Sequence, residues 1–147
     1  MRIITSLIFF ISVSSHAENY LCVADKASGF QFIKSTWEVA NFTTDNKYLV
    51  KASDLEKFPY QVSEIGNDIP VIMCKQGFNS GGFLHCDSGG PLDMLGIVVG
   101  EHFSLNQKSL RFMRVVPRGY INVVPGNNIS DPSSGTPHIE IGKCSQI

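Results

Sequence analysis

The stretch His102-Phe103-Ser104-Leu105-Asn106-Gln107-Lys108-Ser109-Leu110-Arg111-Phe112-Met113 decides the fold. Apolar residues recur at alternate positions on either side of the polar turn Asn106 to Ser109, the pattern of an antiparallel hairpin with one covered face. The same period of two runs outward in both directions. Upstream it predicts strands over Tyr20–Ala24, Gly29–Ile33, Trp37–Phe42, Tyr48–Lys51, Tyr60–Ile65, Pro70–Lys75 and Phe83–Cys86. Downstream it predicts a closing strand at Ile139-Glu140-Ile141, after a polar loop from Val124 to Pro137. One short helix is expected where Ser53 caps Asp54-Leu55-Glu56-Lys57 ahead of Pro59. Strands this short and this evenly spaced indicate an all-β fold, a small antiparallel barrel or sandwich of about eight strands.

Composition agrees. The chain has 147 residues, 43% hydrophobic and 17% charged, with a formal charge of −1, which excludes a disordered chain and a basic nucleic-acid binder. Thirteen Gly and seven Pro supply turns, and ten Phe against one Trp indicate a Phe-dominated interior. At the N-terminus, Met1-Arg2 precedes an apolar run from Ile3 to Val13 and then Ser15-His16-Ala17. A positive start, an apolar stretch too short to span a bilayer and small residues before a cleavage point predict a signal peptide over 1–17. The mature single domain is then 18–147, in the periplasm or outside the cell, with no membrane anchor left after cleavage.

All four cysteines, Cys22, Cys74, Cys86 and Cys144, fall in the mature part. An even number in an exported chain indicates two disulfides, for which three connectivities exist. Cys22 and Cys144 lie near the two ends, and Cys74 and Cys86 flank the loop Gln76-Gly77-Phe78-Asn79-Ser80-Gly81-Gly82. The expected pairs are therefore Cys22 with Cys144 and Cys74 with Cys86. No Cys-x-x-Cys pair is present, so neither a metal site nor a cofactor is expected.

Asp87-Ser88-Gly89-Gly90-Pro91-Leu92 resembles the sequence around the nucleophile of trypsin-like serine proteases, which would make Ser88 the nucleophile. A serine hydroxyl needs a base within reach and a carboxylate to orient that base. In that family both partners precede the serine on a separate barrel. Here His85 is the one mature histidine upstream and only about seventy mature residues precede Ser88, so the motif reads as a Gly-Gly-Pro turn and no catalytic residue is assigned. His85, His102 and His138 lack ligand spacing and read as hydrogen-bonded or exposed. Lys108, Arg111, Arg114 and Arg118 cluster in the chain, but Arg111 and Arg114 have opposite strand parity, and the group reads as a solvated edge. Asn41-Phe42-Thr43 and Asn128-Ile129-Ser130 are glycosylation sequons.

Three segments carry a family resemblance. They are Tyr20-Leu21-Cys22-Val23-Ala24-Asp25-Lys26-Ala27-Ser28-Gly29-Phe30 with Trp37, Phe42 and Tyr48; Phe103-Ser104-Leu105-Asn106 with Leu110-Arg111-Phe112 and Gly119-Tyr120; and Thr136-Pro137-His138-Ile139-Glu140-Ile141-Gly142-Lys143-Cys144. Together they resemble a group of small exported proteins of proteobacteria and their phages; residues 53–100 lie outside the likeness. The resemblance implies compartment and fold rather than a reaction. In architecture, the early Tyr-x-Cys strand in a crosslinked barrel is also similar to periplasmic lysozyme inhibitors. The expected function is a binding or inhibitory module whose partner is an envelope or extracellular protein, without nucleic acid. The alternatives are a structural or stress-tolerance role in the envelope, and a serine hydrolase using Ser88.

Overall fold

A computed structural model of the chain describes residues 18–67, 69–87, 100–117, 120 and 136–147. Among these there is no helix. The strands are β1 (Tyr20–Ile33), β2 (Thr36–Phe42), β3 (Lys47–Ala52), β4 (Tyr60–Glu64), β5 (Ile72–Cys74), β6 (Phe83–Asp87), β7 (His102–Asn106), β8 (Arg111–Val116) and β9 (His138–Gln146). All pair antiparallel in the order β2-β1-β3-β4-β5-β6-β7-β8-β9, and β1 also pairs with β9. Eight strands thus close a barrel, and β2 is an extra strand outside the ring. The all-β expectation holds, and the form is the barrel.

The long strand β1 makes this geometry. Its first part, Tyr20 to Val23, lies between β3 and β9, and its last part, Ala27 to Ile33, pairs with β2. β2 and β3 therefore follow one another along the same edge of β1, interrupted by residues 43–46. The two strands expected at Tyr20–Ala24 and Gly29–Ile33 are one. A bulge between Ala24 and Lys26 lets the strand run on, with Ala24 and Ala27 both buried although three residues apart. Glycine is needed where β9 crosses at closest approach. A Cβ on Gly29 would collide with the Pro137 carbonyl, and one on Gly142 with the Val23 carbonyl and the Phe112 ring. The helix expected from Ser53 is a turn: the Ser53 hydroxyl accepts from the Leu55 N–H and Leu55 O from the Phe58 N–H. Four or five residues before a proline close too few hydrogen bonds to propagate a helix.

Both expected disulfides are present, with Cα separations of 3.9 Å for Cys22–Cys144 and 4.1 Å for Cys74–Cys86. Cys22 and Cys144 oppose each other across the β1–β9 seam. The Cys144 N–H turns away to Leu110 O on the β8 side, so the cysteines form a non-hydrogen-bonded pair, where antiparallel strands lie closest. The second bridge joins β5 to β6 behind the loop whose tip is held by Asn79, which accepts from the Gly82 N–H.

The barrel interior is filled, chiefly by Tyr20, Tyr48, Val50, Val62, Ile72, Leu84, Phe103, Leu105 and Phe112. Phe103 and Phe112 stack at 5.2 Å, and Tyr48 meets both edge-on. At the end where β1 begins, Phe78 packs between Tyr20 and Tyr60. The other end, where the β1–β2 hairpin leaves, is polar.

Candidate functional site

That polar end is built on Arg114, which projects inward from β8 and is 7% exposed. Its parity is that of Phe112 and Val116, both buried, while Arg111 points outward. The expectation of a solvated cationic edge is corrected here for Arg114. Arg111 and Lys108 are exposed, Arg114 is enclosed, and Arg118 lies outside the described residues.

One guanidinium nitrogen of Arg114 donates to Glu101 at 2.8 Å, and another to the Tyr48 hydroxyl at 2.7 Å. Tyr48 in turn donates to Glu140, which also accepts from the Asn46 amide at 2.6 Å and from the Thr44 hydroxyl at 3.5 Å. The Arg114 guanidinium also lies over the Tyr48 ring, 5.1 Å from its centroid. Arg114, Glu101 and Glu140 are buried, which is tolerated because each is paired and hydrogen-bonded. Burial alone pushes the Glu140 carboxyl up. The hydrogen bonds from His138, Tyr48 and Asn46 and the charge of Arg114 outweigh it and hold Glu140 at about 2. Burial likewise opposes the charge of Arg114, but Glu101 raises its pKa above the ordinary value. Burial raises Tyr48, which stays a neutral donor.

His138 stands at the rim of this cluster. Its Nδ1 donates to the Thr136 carbonyl at 2.6 Å, which turns Nε2 toward Glu140 at 3.6 Å. In the neutral ring that nitrogen presents a lone pair to a carboxylate; protonation replaces it with a donor. Interaction with Glu140 accordingly raises the His138 pKa against the effect of burial. The cavity beside it, about 180 Å³, is lined by Ala27, Phe42, Thr44, Asn46, His138 and Glu140 among others. This is small for an organic ligand. The cluster fixes charges.

The outer surface of β6 and β7 carries a second polar group. Asp87 faces His102 at 2.6 Å, and His85 bonds Ser104 at 3.0 Å while stacking on Phe83. The Asp87–His102 pair is exposed on both sides, so its contribution to stability is small. It nonetheless sets a histidine against the carboxylate that directly precedes Ser88. Ser88 lies outside the described residues, as does Asn128. Among the described residues no group of three or more His, Cys, Asp or Glu is placed to hold a metal.

The third feature is apolar and faces outward. On the β1–β2 hairpin, Phe30 pairs with Val39 and Phe32 with Trp37, all on the face continuous with the outside of the barrel. Phe30, Phe32 and Val39 are exposed, Val39 at 76%. The face extends across β9 and β8 through Ile139, Ile141 and Met113, each exposed, with Ile141 opposite Met113. Trp37 packs on Phe32 and Tyr120, and a recess of about 420 Å³ opens between Phe30, Trp37, Pro117, Tyr120 and Pro137.

Of these residues, the sequence singles out Arg114 only as part of a cationic edge and His138 only as a hydrogen-bonded or exposed histidine. Glu101, Tyr48 and Glu140 went unnoticed as a site. One signal existed: Cys144 must face inward to meet Cys22, and Glu140 shares its parity. No family model, curated protein or solved structure matches the chain.

Proposed function

We propose that the chain is an exported binding module that presents the outer face of its β1–β2 hairpin to an envelope or extracellular protein. The observation that carries this reading is the row of exposed Phe30, Phe32 and Val39 with half-buried Trp37, lying beyond the closed barrel and not packed over its core. An apolar face left open to water at a cost of roughly 25 cal/mol per Å² marks a surface that becomes covered. Two disulfides are compatible with an oxidising compartment, and the N-terminal pattern ending at Ala17 supports export, as does the resemblance to small exported proteins. A crosslinked scaffold also keeps the face ordered before binding, which lowers the entropy lost on association.

The test is site-specific photocrosslinking in intact cells, with the probe at Phe32 or, as control, at the exposed Lys51 on β3. A heterologous protein adduct from Phe32 and not from Lys51 is expected. Equal labelling from both positions overturns the reading. Intact mass of the exported product, expected to begin at Glu18, tests the compartment.

The hydrolase alternative keeps one observation in its favour, the Asp87–His102 pair, whose carboxylate directly precedes Ser88 in the sequence. A fluorophosphonate probe should leave the protein unlabelled. Labelling that disappears in Ser88→Ala would establish the alternative.

A further inference from the structure

β2 is an edge. Among the described residues it pairs only with β1, and its other side presents a row of backbone donors and acceptors. Which groups face outward follows from the hydrogen bonding of β1. The Phe30 N–H donates to Pro137 O on the β9 side, so the even-numbered residues of this part of β1 turn to β9 and the odd-numbered ones to β2. The partners of the odd-numbered residues are Thr36, Glu38, Ala40 and Phe42. The outward groups are therefore those of Trp37, Val39 and Asn41.

Proteins ordinarily blunt such an edge with lysine, proline, a bulge or a very short strand. β2 has none of these: it is Thr36-Trp37-Glu38-Val39-Ala40-Asn41-Phe42, regular along its whole register with β1, with Glu38 its single charge. The edge is also complementary to itself. An antiparallel pairing about a two-fold axis at Val39 matches all seven residues and uses the outward groups of Trp37, Val39 and Asn41. It places Val39 against Val39 and Trp37 against Asn41, while each Glu38 meets Ala40 instead of another carboxylate. An axis at Glu38 would oppose two like charges, which is destabilising.

We propose that the protein pairs with a second copy of itself through the β2 edges, in the antiparallel register centred on Val39. The two hairpins then form one four-stranded sheet. Directly opposed residues of an antiparallel pair share a face, so the Phe30–Val39 rows of the two copies join into one continuous apolar platform. The most exposed residue of the row becomes its centre. This pairing stands whether or not the platform also receives another protein.

Light scattering coupled to size exclusion, over a range of concentrations, compares the oxidised mature protein with Val39→Lys and Val39→Pro. Lysine places two positive charges at the axis. Proline removes an outward N–H and leaves the bonds to β1 intact, and should proline impair folding the lysine variant decides alone. The wild type should show a concentration-dependent dimer whose dissociation constant rises at least tenfold in the variants. Geometry is read by crosslinking. All native cysteines are in disulfides, so an introduced cysteine is the one free thiol. Hydrogen-bonded antiparallel partners sit about 5.5 Å apart at Cα. Val39→Cys should therefore give a covalent dimer on mild oxidation, whereas Glu38→Cys, offset from its twin beyond the roughly 7 Å limit for a disulfide, should not. A wild type that is monomeric throughout, a dimer indifferent to both variants, or a dimer in which Val39→Cys fails to crosslink overturns the proposal.

Discussion

The two parts of β1 follow the same alternation and do opposite things with it. From Tyr20 to Ala24 the inward residues Tyr20, Cys22 and Ala24 are buried, and the strand is held on both sides by β3 and β9. Beyond Gly29 the apolar residues Phe30 and Phe32 are on the outer face and exposed, with β2 as the lateral neighbour. Period two identifies a strand in either place; it does not say which face is covered. Covering comes from what closes over the strand, and the barrel closes only over its first part. The barrel should accordingly carry the stability of the molecule and the hairpin its surface chemistry.

The strongest way to break that contrast is to open the barrel. Replacing Cys22 and Cys144 together by serine should cost about 5 kcal/mol on loop entropy, and replacing Cys74 and Cys86 roughly 3, read from denaturant midpoints. A reversed order would mean that the hydrogen-bonded seam, not the crosslink, keeps the barrel closed. Next comes the polar end: Arg114→Met leaves Glu101 and Glu140 without their cation and should destabilise by about 3–5 kcal/mol in the same measurement. A loss under 1 kcal/mol would show that the cluster is solvated.

The pH profile sharpens this further. Glu140 is depressed from 4.5 to about 2, so its contribution, about 2 to 3 kcal/mol, is complete above pH 4.5 and lost as the pH falls toward 2. His138 is raised, so its smaller contribution is complete below pH 6.5 and lost as the pH rises through the folded-state value. Thermal stability should peak between about pH 4.5 and 6.5. In His138→Asn the alkaline decline should flatten while the acid limb remains. The smallest effect belongs to the hairpin, where Val39→Thr should change stability by no more than about 0.5 kcal/mol at low protein concentration.

Much of the fold was legible, and the lapses have identifiable causes. The hairpin spanning His102–Met113 is present with its turn at 107–110, one residue later than expected, because its turn chemistry and its alternation agree. Asn106 Oδ1 accepts the N–H groups of both Lys108 and Ser109, and Phe103, Leu105 and Phe112 face inward. Ile139-Glu140-Ile141 was legible as a strand but not as to face. Hydrophobicity puts the isoleucines inside, whereas parity with Cys144 puts Glu140 there, and the structure follows the cysteine. Gly29 looks like the start of a strand in a linear reading, yet it stands mid-strand because β9 passes too close for a side chain. Arg114 shares the parity of Phe112, but its acceptors come from β3 and from just before β7, and no local pattern joins positions so far apart. Of the outer apolar row, the alternation over Gly29–Ile33 shows only that Phe30 and Phe32 share a face, because being left uncovered is a property of topology.

The seam between β1 and β9 also sets the order in which the molecule can assemble. From β3 to β9 every strand pairs with its neighbours in the chain, so each of those pairings closes a loop far shorter than the β1–β9 seam does, at lower entropic cost. The seam brings together cysteines 122 positions apart. Joining such distant segments becomes favourable only once the meander between them has shortened the path. Ring closure is then a late event in folding, and the sulfur chemistry at Cys22 and Cys144 records that it has happened.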